Sequence, residues 1–433
     1  MLERALVNAV ITHTYTKQQI DVATYRQMLQ LQWRRHWPAL DLNHARHFTP
    51  TIASGELQDL LLATVKQALK HYVRDNRVQT AAIVLVGGDG SGFKLEDLVG
   101  RLLEVAIGRG PLRAANAFYQ GVHGSPVSFR RIALLNGVKF DIEAPVRNGI
   151  RMITLPSSTS RLPPYFPDWS RMNTEDLLGQ TILVVDYTVS QMFANPELMI
   201  SYDELFRCEQ VCSDFPDFDV RQFCDALSLV SDRPIAHVAE WTHVDPDAVF
   251  IPRWAHMGGV THYPFAPRPQ GSVTATKSNV RDAVALYETR KSLSTGPDQK
   301  FEVPIQRWIR SKSDQSITDK FIDLRIALES LYLKDFVGEY SQEMRFRLSM
   351  FGAWHLGTDF HERRRIRKRI RDAYDRASGA VHKGAVEYSP ENLELLSDGQ
   401  DFCRQGILKL LSEGEPDDWG DLILGAGYDE VLT

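Results

Sequence analysis

The sequence predicts an α+β protein, with a mixed α/β region over residues 1–275 and an all-helical region after it. Three observations carry this reading. Short apolar runs bounded by Gly and Pro recur between residues 81 and 190, as strands do. From Asn279 to about residue 411 the apolar residues fall at helical spacing instead. The Pro-rich stretch 264–274 lies between the two regimes and marks an internal boundary. A chain of 433 residues is too long for one ordinary core and suits two or three domains.

Along the chain, residues 57–73 (Leu57, Leu60, Leu61, Val65, Leu69) have helical spacing, and Ala81–Val86 is a buried-strand candidate. Strands are expected at Val127–Asn136, Gly149–Leu155 and Thr181–Tyr187. Leu162–Pro167 holds three prolines and is a loop. Residues 200–231 read as helical, and 232–275 as strand and loop. Residues 276–304 form a linker or helical connection, 305–412 a helical bundle, and 413–433 a tail. That tail carries seven acidic residues and no basic one, so it is expected to be exposed or loosely packed.

A net charge of −5 argues against general coating of nucleic acid but leaves room for a local basic patch. No stretch has the apolar length of a membrane span, so no membrane partner is expected. Met1-Leu2-Glu3-Arg4 brings in an acidic residue early and Asn8 interrupts the apolar run, so no secretory signal is expected. Four cysteines (Cys208, Cys212, Cys224, Cys403) are too few for a disulfide framework and lack a second pair at zinc spacing. They are read as reduced and structural, and the protein as cytoplasmic.

The helical region holds the strongest chemical signal. In 317–335, Phe321, Leu324, Leu328 and Leu331 make one apolar stripe, and Ile322, Ile326 and Leu333 a second that encloses Glu329. A carboxylate held there needs a partner, and an arginine from another helix is the expected one. Met344, Leu348 and Phe351 lie on one side of a second helix at 341–356. In the third, Ile366, Ile370, Ala373 and Ala377 share a face that Val381 continues. Seven of the nine positions from Arg363 to Arg371 are Arg or Lys: Arg363, Arg364, Arg365, Arg367, Lys368, Arg369 and Arg371. Such a run is a solvated face by default, and an electrostatic track for a phosphate backbone in the sharper reading. Beyond it, Arg376 and His382 lie about 120° apart around the helix, so one helix cannot aim both at one atom. Two copies related by a dyad could.

Three segments in order carry a resemblance. They are Ile326-Ala327-Leu328-Glu329-Ser330-Leu331-Tyr332, then Glu343–Leu348 leading to Ala353-Trp354-His355-Leu356, then Ala373-Tyr374-Asp375-Arg376-Ala377-Ser378-Gly379-Ala380-Val381-His382-Lys383-Gly384. Together they resemble the HEPN superfamily, in particular its Apea-like group at the C-termini of prokaryotic phage-defence proteins. That family's hallmark is an Arg and a His separated by a short spacer in a Tyr-Asp…Val-His-Gly context. Here five residues separate Arg376 from His382, Ala377 follows the Arg, and Lys383 precedes the Gly. The resemblance implies an up-and-down helical bundle, usually dimeric, that cleaves RNA with no metal and no cofactor in phage defence or abortive infection. By it, His382 is the general base or acid, Arg376 the phosphate binder, and Glu329 the residue that orients or pairs with the Arg. Arg363–Arg371 and Lys383 would hold RNA. A neutral His can take the proton of a ribose 2′-OH that attacks the adjacent phosphate, and a guanidinium can bind the oxygens as charge builds. The alternative is a non-catalytic RNA-binding or dimerisation module. Residues 1–300 resemble no family and are read as a sensor or regulatory region where an activating or guiding partner could act.

Other signals are weaker. Gly87–Gly92 follows a strand but lacks the phosphate-loop ending, and is read as a hairpin or loop. His237, His243, His256 and His262, with Asp245 and Asp247 among them, show no regular metal spacing. Lys139, Asp141 and Glu143 alternate as a solvent-facing strand edge does. Trp33 and Trp37 are read as anchors of an N-terminal helix.

Overall fold

A computed structural model describes residues 62–67, 80–85, 90–123, 125–140, 144–157, 177–189, 191–194, 217–245, 247–250, 261–264, 266–293, 298–333, 341–416 and 418–424. Trp33, Trp37, Asp141, Glu143, Leu162–Pro167, Cys208, Cys212 and His256 lie outside these residues.

β1 (Thr80–Leu85) and β2 (Gly90–Lys94) pair antiparallel with Val84 opposite Gly90, so Gly90 and Gly92 of the glycine-rich stretch are strand residues, and Gly87–Asp89 lie outside the described residues. Two helices follow, α1 (Leu95–Arg109) and α2 (Pro111–Val122). Gly110 between them has φ 101°, a conformation open to glycine, and Pro111 opens the second helix, where its missing N–H costs nothing.

The main sheet is built around β3 (Val127–Asn136), at the predicted boundaries. Its other strands are β5 (Ala144–Arg147), β6 (Ile150–Thr154), β7 (Thr181–Val189), β9 (Ala236–Val244) and β10 (Thr261–His262), in the order β10-β9-β3-β7-β6-β5. Every pairing in it is antiparallel. β4 (Val138–Phe140) pairs with β11 (Val273–Ala275), and β8 (Gln191–Ala194) with β1. Because strand side chains alternate, β3 sends Ala133 and Leu135 to one face and Ile132 and Leu134 to the other, and all four are buried. The first face is covered by α3 (Val220–Ser231) and α4 (Lys277–Ser292), through Phe223, Leu227, Ala283 and Tyr287. The 276–304 connection is thus largely helical, and its first helix belongs to the core of the sheet.

The helical region contains α5 (Asp298–Ser311), α6 (Ile317–Tyr332), α7 (Ser341–Leu356), α8 (Phe360–Lys383), α9 (Pro390–Glu413) and α10 (Trp419–Leu424). Its core takes in Trp308, Phe321, Leu328, Leu348, Ile370 and Ile407. Gly406 lies against the Tyr332 hydroxyl with no room for a Cβ, which lets α6 and α9 approach closely. Two features depart from expectation. Arg325 lies over the Tyr374 ring while Thr318 accepts from Val386 N–H, so α6 runs antiparallel to α8. Arg345 pairs with Asp375 and Arg363 stacks on Trp354, so α7 is antiparallel to α8 too. Helices α6 and α7 therefore point the same way, which breaks a strict up-and-down order. The tail is also not wholly loose: Trp419 is buried, stacked on Phe351 at 5.4 Å and edge-on to Tyr332 and His355.

The two regions meet through buried polar groups. Asp225 of α3 accepts from Arg290 of α4 and from the Gln306 amide of α5, while Arg290 also reaches Glu302. Desolvation pushes the Asp225 carboxyl up to about 6, against the pull of Arg290. Arg404 of α9 donates to the Leu229 carbonyl, and Lys312 to Asp232. The Leu229 side chain lies in the bundle's core.

Candidate functional site

Helix α8 positions most of the candidate residues. It starts at the Asp359 cap, whose carboxylate accepts from Glu362 N–H, and ends where Gly384 turns left-handed at φ 76°. His382 and Lys383 therefore occupy its last turn, where the exposed carbonyls favour positive charge. The buried stripe is Ile366, Ile370, Ala373, Tyr374, Ala377 and Ala380. Val381, expected to continue it, is 58% exposed. It lies beside His382 at the end of the helix, with Tyr388 of the following segment 77% exposed.

At about 100° per residue, Arg364, Lys368, Arg371, Asp375 and His382 fall on the outer face of α8. Arg376 is turned toward α9, where it meets Glu391 at 3.8 Å with both side chains exposed. Within one chain, then, Arg376 and His382 are not brought together: they differ by about 120° around the helix and roughly 9 Å along it.

The seven cations of 363–371 divide by environment. Arg369 is neutralised by Glu394 at 2.6 Å and Asp398 at 2.9 Å, and Arg371 contacts Asp372. Arg363 stacks on Trp354 at 3.9 Å and donates to the Gly357 carbonyl. Arg365 lies near the Phe402 ring and Arg367 near that of Phe346. Among the described residues Arg364, Lys368 and Lys383 meet no carboxylate within ion-pair distance. Phe346 and Phe360 add two rings, 55% and 70% exposed. Sequence reasoning passed over them because exposed aromatics have no signature of their own.

Glu329 has a different partner from the one expected. Its carboxylate accepts from Arg325 of its own helix at 2.8 Å and bonds the Tyr374 hydroxyl of α8. The Arg325 guanidinium covers the Tyr374 ring at 4.5 Å. No arginine from another helix, Arg376 included, forms an ion pair with it among the described residues. Its role in this arrangement is to fasten α8 to α6 at Tyr374, two residues before Arg376. Asp375 is likewise engaged, by Arg345 of α7 at 2.9 Å.

A second polar cluster joins the C-terminal ends of α6 and α7. Tyr332 Oη and His355 Nδ1 are 3.1 Å apart and both side chains are buried. Burial, then the charge of Lys409, holds the imidazole down to about 4. It is neutral under ordinary conditions and belongs to the core. In the sheet, burial and then Arg130 likewise hold His243 down to about 4. No group of three or more His, Cys, Asp or Glu among the described residues is arranged to hold a metal ion. Cys224 and Cys403 are free and buried. No described helix is long and apolar enough to cross a membrane.

No protein-family model matches the chain, and no curated protein or solved structure matches it either.

Proposed function

We propose that the helical region is a metal-independent endoribonuclease of the HEPN type, acting on RNA in phage defence. The observation that carries the reading is the surface of α8. An exposed imidazole at its end is aligned with Arg364 and Lys368, two cations that no carboxylate neutralises among the described residues, and the exposed rings of Phe346 and Phe360 lie on α7 and at the start of α8. Cations along a helix track a phosphate backbone, and exposed rings stack on unpaired bases. His382 takes the proton of a 2′-OH, the freed oxygen attacks the adjacent phosphorus, and the 5′-oxygen departs with a proton. The products are a 2′,3′-cyclic phosphate and a 5′-hydroxyl. Arg376 binds the non-bridging oxygens, and because it faces away from His382 in its own chain, the complete site needs a second copy. Val381 beside His382, and Tyr388 in the segment after α8, are exposed and supply apolar surface for that copy to cover. The N-terminal region restrains or guides the site.

The Arg376–Glu391 contact favours one other reading, a non-catalytic RNA-binding or assembly module, because it draws the guanidinium away from any shared cleft. Incubation with total bacterial RNA in EDTA separates the two. Fragments ending in cyclic phosphate, lost in His382→Ala, are the expected result. RNA binding without cleavage by either protein, with a homodimer in solution, would select the module.

A further inference from the structure

A cavity of about 460 Å³ opens where the sheet region meets α5, remote in sequence from the α8 surface. Much of its surface is apolar: Ile235 just before β9, Pro264 and Pro267 from the segment between β10 and β11, and Ile309 of α5. Tyr263 stands at the side of the cavity with its ring 4.5 Å from that of His237.

His237 is the feature the fold leaves unresolved. Its side chain is only 8% exposed, yet Nε2 has no hydrogen-bond partner among the described residues. A Glu240 carboxylate oxygen is 3.4 Å away but already takes two N–H groups of Arg131 at 3.1 and 2.7 Å. A buried polar atom without a partner is destabilising, so its persistence points to a ligand that completes it. Burial lowers the affinity of this imidazole for a proton, so the ring presents one N–H and one lone pair.

Each cation around the cavity meets a carboxylate, and Asp219, which caps α3, adds one further carboxylate to the wall. Arg131 is paired with Glu240, Arg221 with Glu302, and Asp225 with Arg290. An anion such as a phosphate would find no free cation here. The volume suits a small organic molecule, and a largely apolar surface with a few polar groups, here His237, Gln306 and the paired charges, is the usual make-up of such sites.

We infer that this cavity binds an uncharged, planar heteroaromatic molecule of nucleoside size, held between Tyr263 and the proline wall and hydrogen-bonded by His237 Nε2. Because Ile235 adjoins the sheet and Ile309 belongs to α5, the bound molecule bridges the two regions. The site stands independently of the ribonuclease reading, since none of its residues lies on α8.

The test uses the full chain with adenosine, guanosine, cytidine and uridine, each at millimolar concentration, followed by thermal unfolding and saturation-transfer NMR. At least one nucleoside should raise Tm by a few degrees. His237→Phe keeps the ring shape and should weaken that nucleoside roughly three- to tenfold. Ala266→Trp fills the cavity and should abolish binding. No response to any of the four, or an equal response in both variants, overturns the inference. Tighter binding of the corresponding 5′-monophosphate would also overturn it, by showing that the site reads charge.

Discussion

His382 is exposed in the last turn of α8, so replacing it removes a functional group without opening a hole in the core. His382→Ala should lower the cleavage rate by about 10²–10⁴-fold, as loss of a general base does, while the folded protein and its RNA affinity persist. Glu329 should behave in the opposite way. It joins Arg325 to the Tyr374 hydroxyl and is only partly exposed. Glu329→Gln is expected to cost about 1 kcal/mol in urea unfolding and to leave cleavage per folded molecule unchanged. A fall in rate at unchanged stability would instead place the carboxylate in the chemistry. The sequence made clear that Glu329 is enclosed and needs a partner. It could not show that the partner is four residues upstream, because Arg325 and any arginine of a neighbouring helix satisfy the same charge requirement.

At the scale of the helix, the α8 face is polarised between paired and unpaired cations. Arg364→Glu with Lys368→Glu should weaken RNA binding across sequences. The slope of log K against log salt should fall by about 1.4, two single-strand phosphate contacts. The same substitutions at Arg369, which already has two carboxylate partners, should do much less. Helical spacing sufficed to predict the inner stripe from Ile366 to Ala377. It failed at the end of the helix, where Ala380 is buried and Val381 exposed. Both flank the stripe at about 100° per residue, and which one is covered depends on where the adjoining helices end. The strands read more easily. β3 runs as expected because its continuous apolar run could serve only a strand covered on both faces.

Over the whole molecule, burial of histidine ties stability to pH. His355 has its pKa lowered by burial to about 4, against 6.5 for the free side chain. The unfolded chain therefore takes up the proton first as pH falls. His355 contributes its full stability above about pH 6.5 and loses it on the way down to about pH 4. Between neutrality and about pH 5 the loss is roughly 2 kcal/mol from this residue, and His243 acts in the same sense. Asp225 opposes them: its raised value, about 6, means that its contribution grows as pH falls from about 6 to its free value of 3.8. Urea unfolding at the two pH values should thus show a smaller acid loss in His355→Phe than in the parent chain. Equal losses would mean that the imidazole is not held neutral. The parallel run of α6 and α7 and the docking of Trp419 were not legible in the sequence. Segment length does not give the direction of a connection, and an acidic tail hides a single apolar anchor.

In the proposed reaction an RNA hydroxyl, activated by His382, cuts the chain. This is tested most directly on an RNA oligonucleotide cleaved at a mapped bond, compared with one carrying a single 2′-deoxy nucleotide immediately 5′ of that bond, both in EDTA. Cleavage at the mapped bond should disappear in the substituted strand while other sites survive. Cleavage of the deoxy strand at that bond, or activity that appears only with Mg²⁺, would contradict it.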